Sequence, residues 1–132
     1  MSYNWNTRTE LLLGADRMEQ LAHSHVLVVG LGGVGAYAAE QICRAGIGHM
    51  TIVDADTVNE SNINRQLPAL HSTLGMPKAE VMARRLLDIN PRLKLTVINE
   101  FLRDERTEEV LSATRYDFIV DAIDSLSPKV FL

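Results

Sequence analysis

Two short, nearly unbroken apolar runs stand out along the chain, Val26-Leu27-Val28-Val29 and Met50-Thr51-Ile52-Val53, each closed by glycine or aspartate. Runs of this length predict strands buried on both faces, as in a parallel sheet. Between them, Val34 to Ala45 reads as a helix rich in small residues. Strand, glycine turn, helix and strand follow within about thirty residues, the size of a βαβ unit. Over Pro77–Asn90 the apolar positions Ala79, Met82, Ala83, Leu86 and Leu87 recur at three- and four-residue steps. Pro77 suits the first helical turn, and Asn90-Pro91 ends the helix. A third strand is predicted at Leu93–Asn99, a fourth at Phe118–Asp121, and a further crossover helix at Asp104–Thr114.

Alternating strands and helices imply an α/β fold, a Rossmann-like and mainly parallel sheet with helices on both faces. Residues 1–22 read as an N-terminal helical segment and residues 23–132 as the βαβ core of one nucleotide-binding domain. Ser125 to Leu132 reads as the opening of an unfinished helix, so a domain truncated at its C-terminus, a fragment of a longer protein, is expected.

Composition narrows the class only a little. Of 132 residues, 46% are hydrophobic and 23% charged, the balance of a globular chain rather than a disordered one. No apolar run approaches the roughly 20 residues of a membrane span. The N-terminus lacks a basic flank leading into an apolar segment, which argues against a secretory signal. Cys43 is the sole cysteine; it can form no internal disulfide, reads as a small buried hydrophobe, and fits a reducing cytoplasm. His23, His25, His49 and His71 show no ligand spacing, so no metal is assigned to them. A net charge of −4 gives no electrostatic reason to expect nucleic-acid binding by this segment. Arg84-Arg85 reads as a solvated helix face.

The candidate chemistry begins at Gly30-Leu31-Gly32-Gly33-Val34-Gly35, which follows the first strand and opens the first helix. Glycines there permit a sharp turn and let backbone N–H groups approach a phosphate favoured by the helix N-terminus. Asp54 ends the second strand, where an acid would meet a ribose hydroxyl pair. Both features suit NAD as well as ATP.

The segment from Asp54 to Gln66 separates the two. A GxGGxG turn (Gly30, Gly32, Gly33, Gly35), a D-x-D strand end (Asp54, Asp56), an S-N-x-x-R-Q stretch (Ser61, Asn62, Arg65, Gln66), a Pro77-Lys78 helix start and a later Asp124 occur in order. In these motifs the chain resembles the adenylating enzymes of ubiquitin activation, thiamine synthesis and molybdopterin synthesis, the ThiF, MoeB and HesA group. The resemblance covers nearly the whole chain. It implies ATP as the nucleotide, with Arg65 and Lys78 as phosphate contacts, Ser61, Asn62 and Gln66 as neutral polar contacts, and Asp54 on the ribose. Asp124, followed by Ser125, would hold Mg2+ beside the phosphates. Asp121 reads instead as a structural acid bonded to nearby backbone. Arg8, in Arg8–Gly14, matches an arginine that reaches the nucleotide of a partner subunit; it implies a homodimer, and an ordinary exposed arginine explains it equally well.

Within the group the chain is most similar to the tRNA threonylcarbamoyladenosine dehydratase branch. The strings that carry this are Arg8–Gly14, Ala45–Gly48, Asn64–His71, Lys78–Ala83, Ile89-Asn90-Pro91, and Asp121–Ser125 leading to Pro128-Lys129. The likeness implies a cytoplasmic enzyme with tRNA as substrate and a sulfur-transfer protein as a further partner. ATP with Mg2+ would activate the threonyl carboxylate, and the neighbouring carbamoyl oxygen would close a ring with net loss of water. Three alternatives stay open: adenylation of the C-terminal Gly-Gly of a small sulfur-carrier protein, a NAD-dependent dehydrogenase, and a non-catalytic dimerisation subunit of the same fold. Members of the group continue beyond this chain's length, and a cysteine implied in their chemistry has no counterpart here.

Overall fold

The computed structural model describes residues 5–123. Two short helices come first, α1 (Thr7–Leu13) and α2 (Ala15–Ala22), separated by Gly14 at φ 88°. The core then alternates: β1 (His25–Val29), α3 (Gly35–Ala45), β2 (His49–Val53), α4 (Lys78–Ile89), β3 (Lys94–Ile98), α5 (Asp104–Ser112) and β4 (Phe118–Asp121). All strand pairings are parallel, in the order β3-β2-β1-β4. Each predicted strand and helix of the core is present. The first two strands begin one residue earlier than their apolar runs, at His25 and His49, whose rings stack on each other.

Side-chain alternation along the strands divides the core in two. Val26 and Val28 of β1, with Met50 and Ile52 of β2, face α3 and α4, packing on Ala36, Ala39, Cys43, Met82 and Leu86. The small residues of α3 let that helix approach the sheet closely. Leu27, Val29 and Val53 face the other way and meet Leu102 and Val110 from the α5 region. The Cys43 thiol, fully buried between α3 and α4, is pushed up to about 11 by desolvation, as expected of an inert hydrophobe rather than a nucleophile. Glu40 on α3 is buried yet takes both Arg85 of α4 and Arg44, so Arg85 belongs to an interhelical ion pair rather than a purely solvated face. The Arg85 hydrogen bond, ahead of the charge of Arg44, holds the Glu40 carboxyl below its usual range. Arg84 is exposed.

Thr107 of α5 is buried with no hydrogen-bond partner for its hydroxyl among the described residues. A desolvated, unpaired hydroxyl is a cost that an isosteric methyl removes. Thr107→Val is therefore expected to stabilise the fold by about 1 kcal/mol, read as a higher urea midpoint. A lower midpoint would mean that the hydroxyl is bonded in solution.

Candidate functional site

Because α3 and α4 cover one face and α5 the other, the chain reverses direction across the sheet between β1 and β4. Open α/β sheets hold ligands at that point, outside the carboxyl ends of the strands. A cavity of about 210 Å3 lies there. Its floor is Val29, Gly30 and Gly32 after β1, and Asp54 to Asp56 after β2. One wall carries Lys78; the opposite wall is Glu100 to Arg103, with Ala122 and Ile123 beyond β4.

The glycine turn is held by backbone geometry that other residues would not tolerate. Gly30 sits at φ 94°, its N–H bonded to Val53 O at 2.8 Å. A Cβ there would stand 2.7 Å from Ala122 O, and one on Gly35 would stand 1.6 Å from Gly30 O. The turn is thus folded back on the start of α3. No side chain caps that helix, so its first N–H groups stay available at the turn.

Asp54 fastens this turn to the second strand. One carboxylate oxygen accepts from the Leu31 N–H at 2.7 Å and the other from the Asp56 N–H at 2.7 Å. Burial pushes its pKa up, while these bonds and the Lys78 charge pull it down; the net direction is upward. Each oxygen keeps a lone pair able to accept from a hydroxyl.

Lys78 reaches the cavity because the chain after Asp56 returns antiparallel to itself. Thr57 bridges Pro77, Val58 N–H bonds to Met76 O, and Lys78 N–H bonds to Asp56 O at 2.9 Å. The lysine side chain is only 7% exposed and places its Nζ 4.0 Å from Asp56. A buried ammonium whose neighbouring carboxylate is solvent-exposed is free to take a second anion from the cavity.

The structure thus brings together Gly30, Gly32, Asp54, Asp56 and Lys78, five of the residues singled out from the sequence. Gly33 and Gly35 belong to the turn without lining the cavity. Ser61, Asn62, Arg65 and Gln66 lie in the excursion between Val58 and Gly75 and are not on its walls. There they serve one another: Asn59 and Asn62 form a reciprocal cap, and Asn59 also binds Ser61. Arg65 donates to Ser61 O at 3.0 Å and to the Asn64 side chain at 2.9 Å. Gln66 is buried, with its side-chain oxygen unpaired among the described residues. Asp121 accepts from the Ile123 N–H at 3.2 Å, in keeping with the structural reading of that acid. Arg8 is exposed on α1. Asp124 and Ser125 lie outside the described residues, as do Pro128 and Lys129.

Sequence reasoning missed the wall from Glu100 to Arg103. Phe101 is exposed, Leu102 is buried behind it, and the Arg103 guanidinium stands 5.7 Å from the Phe101 ring centre. The rule that ligands gather past strand ends, applied to the third strand as to the first two, would have found these residues. Among the described residues no three metal-binding side chains converge, and no helix is long and apolar enough to cross a membrane.

A model of the ThiF family matches residues 3–132. The tRNA threonylcarbamoyladenosine dehydratase of Escherichia coli (strain K12) is 42% identical over 131 residues, covering 97% of this chain and 48% of that protein. The molybdopterin-synthase adenylyltransferase of the same organism is 37% identical, over 86% of this chain and 45% of that protein. A solved structure of the E. coli dehydratase in complex with ATP superposes with a TM-score of 0.90 at 41% identity, covering 97% of this chain and 54% of that one. The chain spans about half the length of the curated relatives it matches.

Proposed function

The chain belongs to the ThiF family, and from that premise we propose that it is the nucleotide-binding part of an enzyme that spends ATP to activate a carboxylate. The observation that carries this is the cavity itself, where a glycine turn, the Asp54 carboxylate and a buried lysine ammonium meet. Backbone N–H groups and an ammonium suit a polyphosphate, and the carboxylate suits a ribose. The apolar wall of Phe101 and Leu102, beside Val29 and Val53, suits a flat base. A purely structural relative of this fold has no use for a buried, nearly unpaired lysine aimed into a cavity.

ATP and a carboxylate repel each other, so an enzyme joining them must neutralise charge on the phosphates. Lys78 supplies one cation from this chain. Arg65 is the second in this reading, and it must leave its contacts with Ser61 and Asn64 to reach the phosphates. Mg2+, when bound, would screen the remaining charge; Asp124 is assigned to hold it, and the exposed carboxylate of Asp56 lines the cavity. Magnesium sites in nucleotide enzymes use one or two carboxylates plus phosphate oxygens, which this donor set fits. Arg8 completes the site of the opposite subunit in a homodimer, a role compatible with its exposure and with the exposed Leu11 and Leu12 on the same helix.

The substrate is the threonyl carboxylate of threonylcarbamoyladenosine in tRNA, a reading supported by the 42% identity and by the Asp121-Ala122-Ile123-Asp124-Ser125 string. The carboxylate attacks phosphorus and expels pyrophosphate. The carbamoyl oxygen then attacks the activated carbon, expels AMP and closes the ring. The cytoplasm, where tRNA is modified, is the compartment this requires, and a sulfur-transfer protein is assigned as a further partner. The sister chemistry, adenylation of a carrier protein's terminal Gly-Gly, is favoured only by the 37% identity to the molybdopterin enzyme.

Titrating the chain with ATP–Mg2+ and with NAD side by side tests the nucleotide. ATP is expected to bind, and more weakly once Mg2+ is chelated; preference for NAD overturns the proposal. Incubating the full-length protein and ATP with threonylcarbamoyl-modified tRNA is expected to give the cyclised nucleoside. An AMP adduct on a Gly-Gly carrier, with tRNA untouched, would move the protein to the sister branch.

A further inference from the structure

A second cavity, of about 280 Å3, opens at the other end of the strands beside α5. The sheet presents polar side chains to it where a parallel sheet is normally apolar, His25 and His49 at the starts of β1 and β2, then Thr51 and Thr96, beside the apolar Ile98, Val110 and Ala113. The two imidazoles stack face to face, ring centres 3.5 Å apart and planes 5° from parallel. His25 Nε2 and Thr51 Oγ1 are hydrogen-bonded at 2.7 Å, and the Tyr116 ring leans against His25 at 4.6 Å. Tyr116 in turn donates its hydroxyl to Val110 O of α5 at 2.8 Å. Stacking at this distance disfavours charge on both rings at once, because two like charges would then face each other at contact.

Few neighbours would accept charge on the pair. Asp117, whose carboxylate accepts from the backbone N–H of His25 at 2.8 Å, and the Arg115 backbone favour a proton on His25. Against it stand burial and His49; for His49, burial and then Lys94 of β3. From α5, Arg106 and Glu109 also line the cavity. Arg106 is already committed to Glu109 and to Glu100. Glu100 is a wall residue of the nucleotide cavity. One arginine therefore joins the helix beside the histidines to the wall of the proposed ATP site.

We propose that the His25–His49 stack is a proton-sensitive latch on α5 and, through Arg106 and Glu100, on the nucleotide cavity: neutral it holds the helix seated, and protonated it releases helix and wall together. The second half rests on the nucleotide reading above; the first does not. Both histidines titrate below the ordinary 6.5 in the folded chain, so the folded state resists protons that the unfolded state accepts. Stability is full above that value and is lost as pH falls below it toward the folded values, beyond which the loss stops growing.

Amide exchange of residues 104–112, corrected for the intrinsic rate and referred to α3, tests the latch at pH 7.5, 6.5 and 5.5. Protection of α5 is expected to fall several-fold relative to α3, together with the melting temperature. His49→Phe keeps a ring in the stack without its proton site and should lose much less; His49→Gln serves the same purpose if that variant does not fold. Parallel behaviour of the parent and variant chains, or equal loss in α3 and α5, overturns the latch. In the second arm, ATP–Mg2+ affinity should fall several-fold more in the parent chain than in the variant, the nucleotide's own titration being common to both. Equal falls overturn the link to the cavity, and absence of nucleotide binding at every pH overturns the nucleotide reading while the exchange arm still decides the latch.

Discussion

Alanine at Gly35 is expected to leave the chain largely unfolded. The added methyl would stand 1.6 Å from Gly30 O, 2.8 Å from Gly30 C and 3.1 Å from the Ala122 side chain. The first two are backbone atoms of a turn pinned to Val53 and Asp54, so no side chain can swing aside. Overpacking usually costs about 1–3 kcal/mol. A clash with fixed backbone exceeds that range, against a total stability of about 5–15 kcal/mol for a domain. Gly33→Ala is the matched control, since nothing lies within 4 Å of its added methyl. Urea unfolding followed by circular dichroism should separate the two, with Gly33→Ala close to the parent chain. Equal stability of both variants would show that the turn is looser than described.

Lys78→Met is expected to keep the fold and lose the nucleotide. Methionine retains the apolar stem that fills the wall at the start of α4, and the partner left behind, Asp56, is solvent-exposed and carries little cost. What disappears is the cation proposed to face the phosphates. A charge-assisted contact of about 1.5–3 kcal/mol corresponds to a fall in ATP–Mg2+ affinity of up to about a hundredfold. Calorimetry with ATP and with adenosine distinguishes the roles. If the lysine acts on phosphate, adenosine binding is barely altered; equal losses for both would make it a structural residue, and unchanged ATP affinity in a folded variant would remove it from the site.

Much of this architecture was legible in the sequence, and what was not shares a physical cause. The buried strands announced themselves because parallel strands covered on both faces need continuous apolar runs. Their first residues did not, because His25 and His49 are polar and pack by stacking, which no apolar periodicity records. Gly30, Asp54 and Lys78 were legible because each occupies a fixed place relative to a strand or helix end. Phe101 and Arg103 also follow a strand end but carry no glycine or acid motif, and they join the site because β3 lies beside β2, an order that local pattern does not specify. The stretch from Ser61 to Gln66 was legible as a motif yet not as a conformation. Ser61, Asn62 and Arg65 bond to near neighbours in the chain, and the choice between these bonds and a ligand's is invisible in one dimension.

The cavity is assembled from five stretches far apart along the chain: the turn after β1, the end of β2, the start of α4, the loop after β3 and the exit of β4. Such a pocket cannot exist in a partly folded molecule, so whatever occupies it draws on the free energy of the whole domain. By mass action the occupant would raise the melting point in step with its concentration. In a cell the resistance of this domain to proteolysis would then follow the local supply of the occupying molecule, coupling how long the protein persists to how much of that molecule is present.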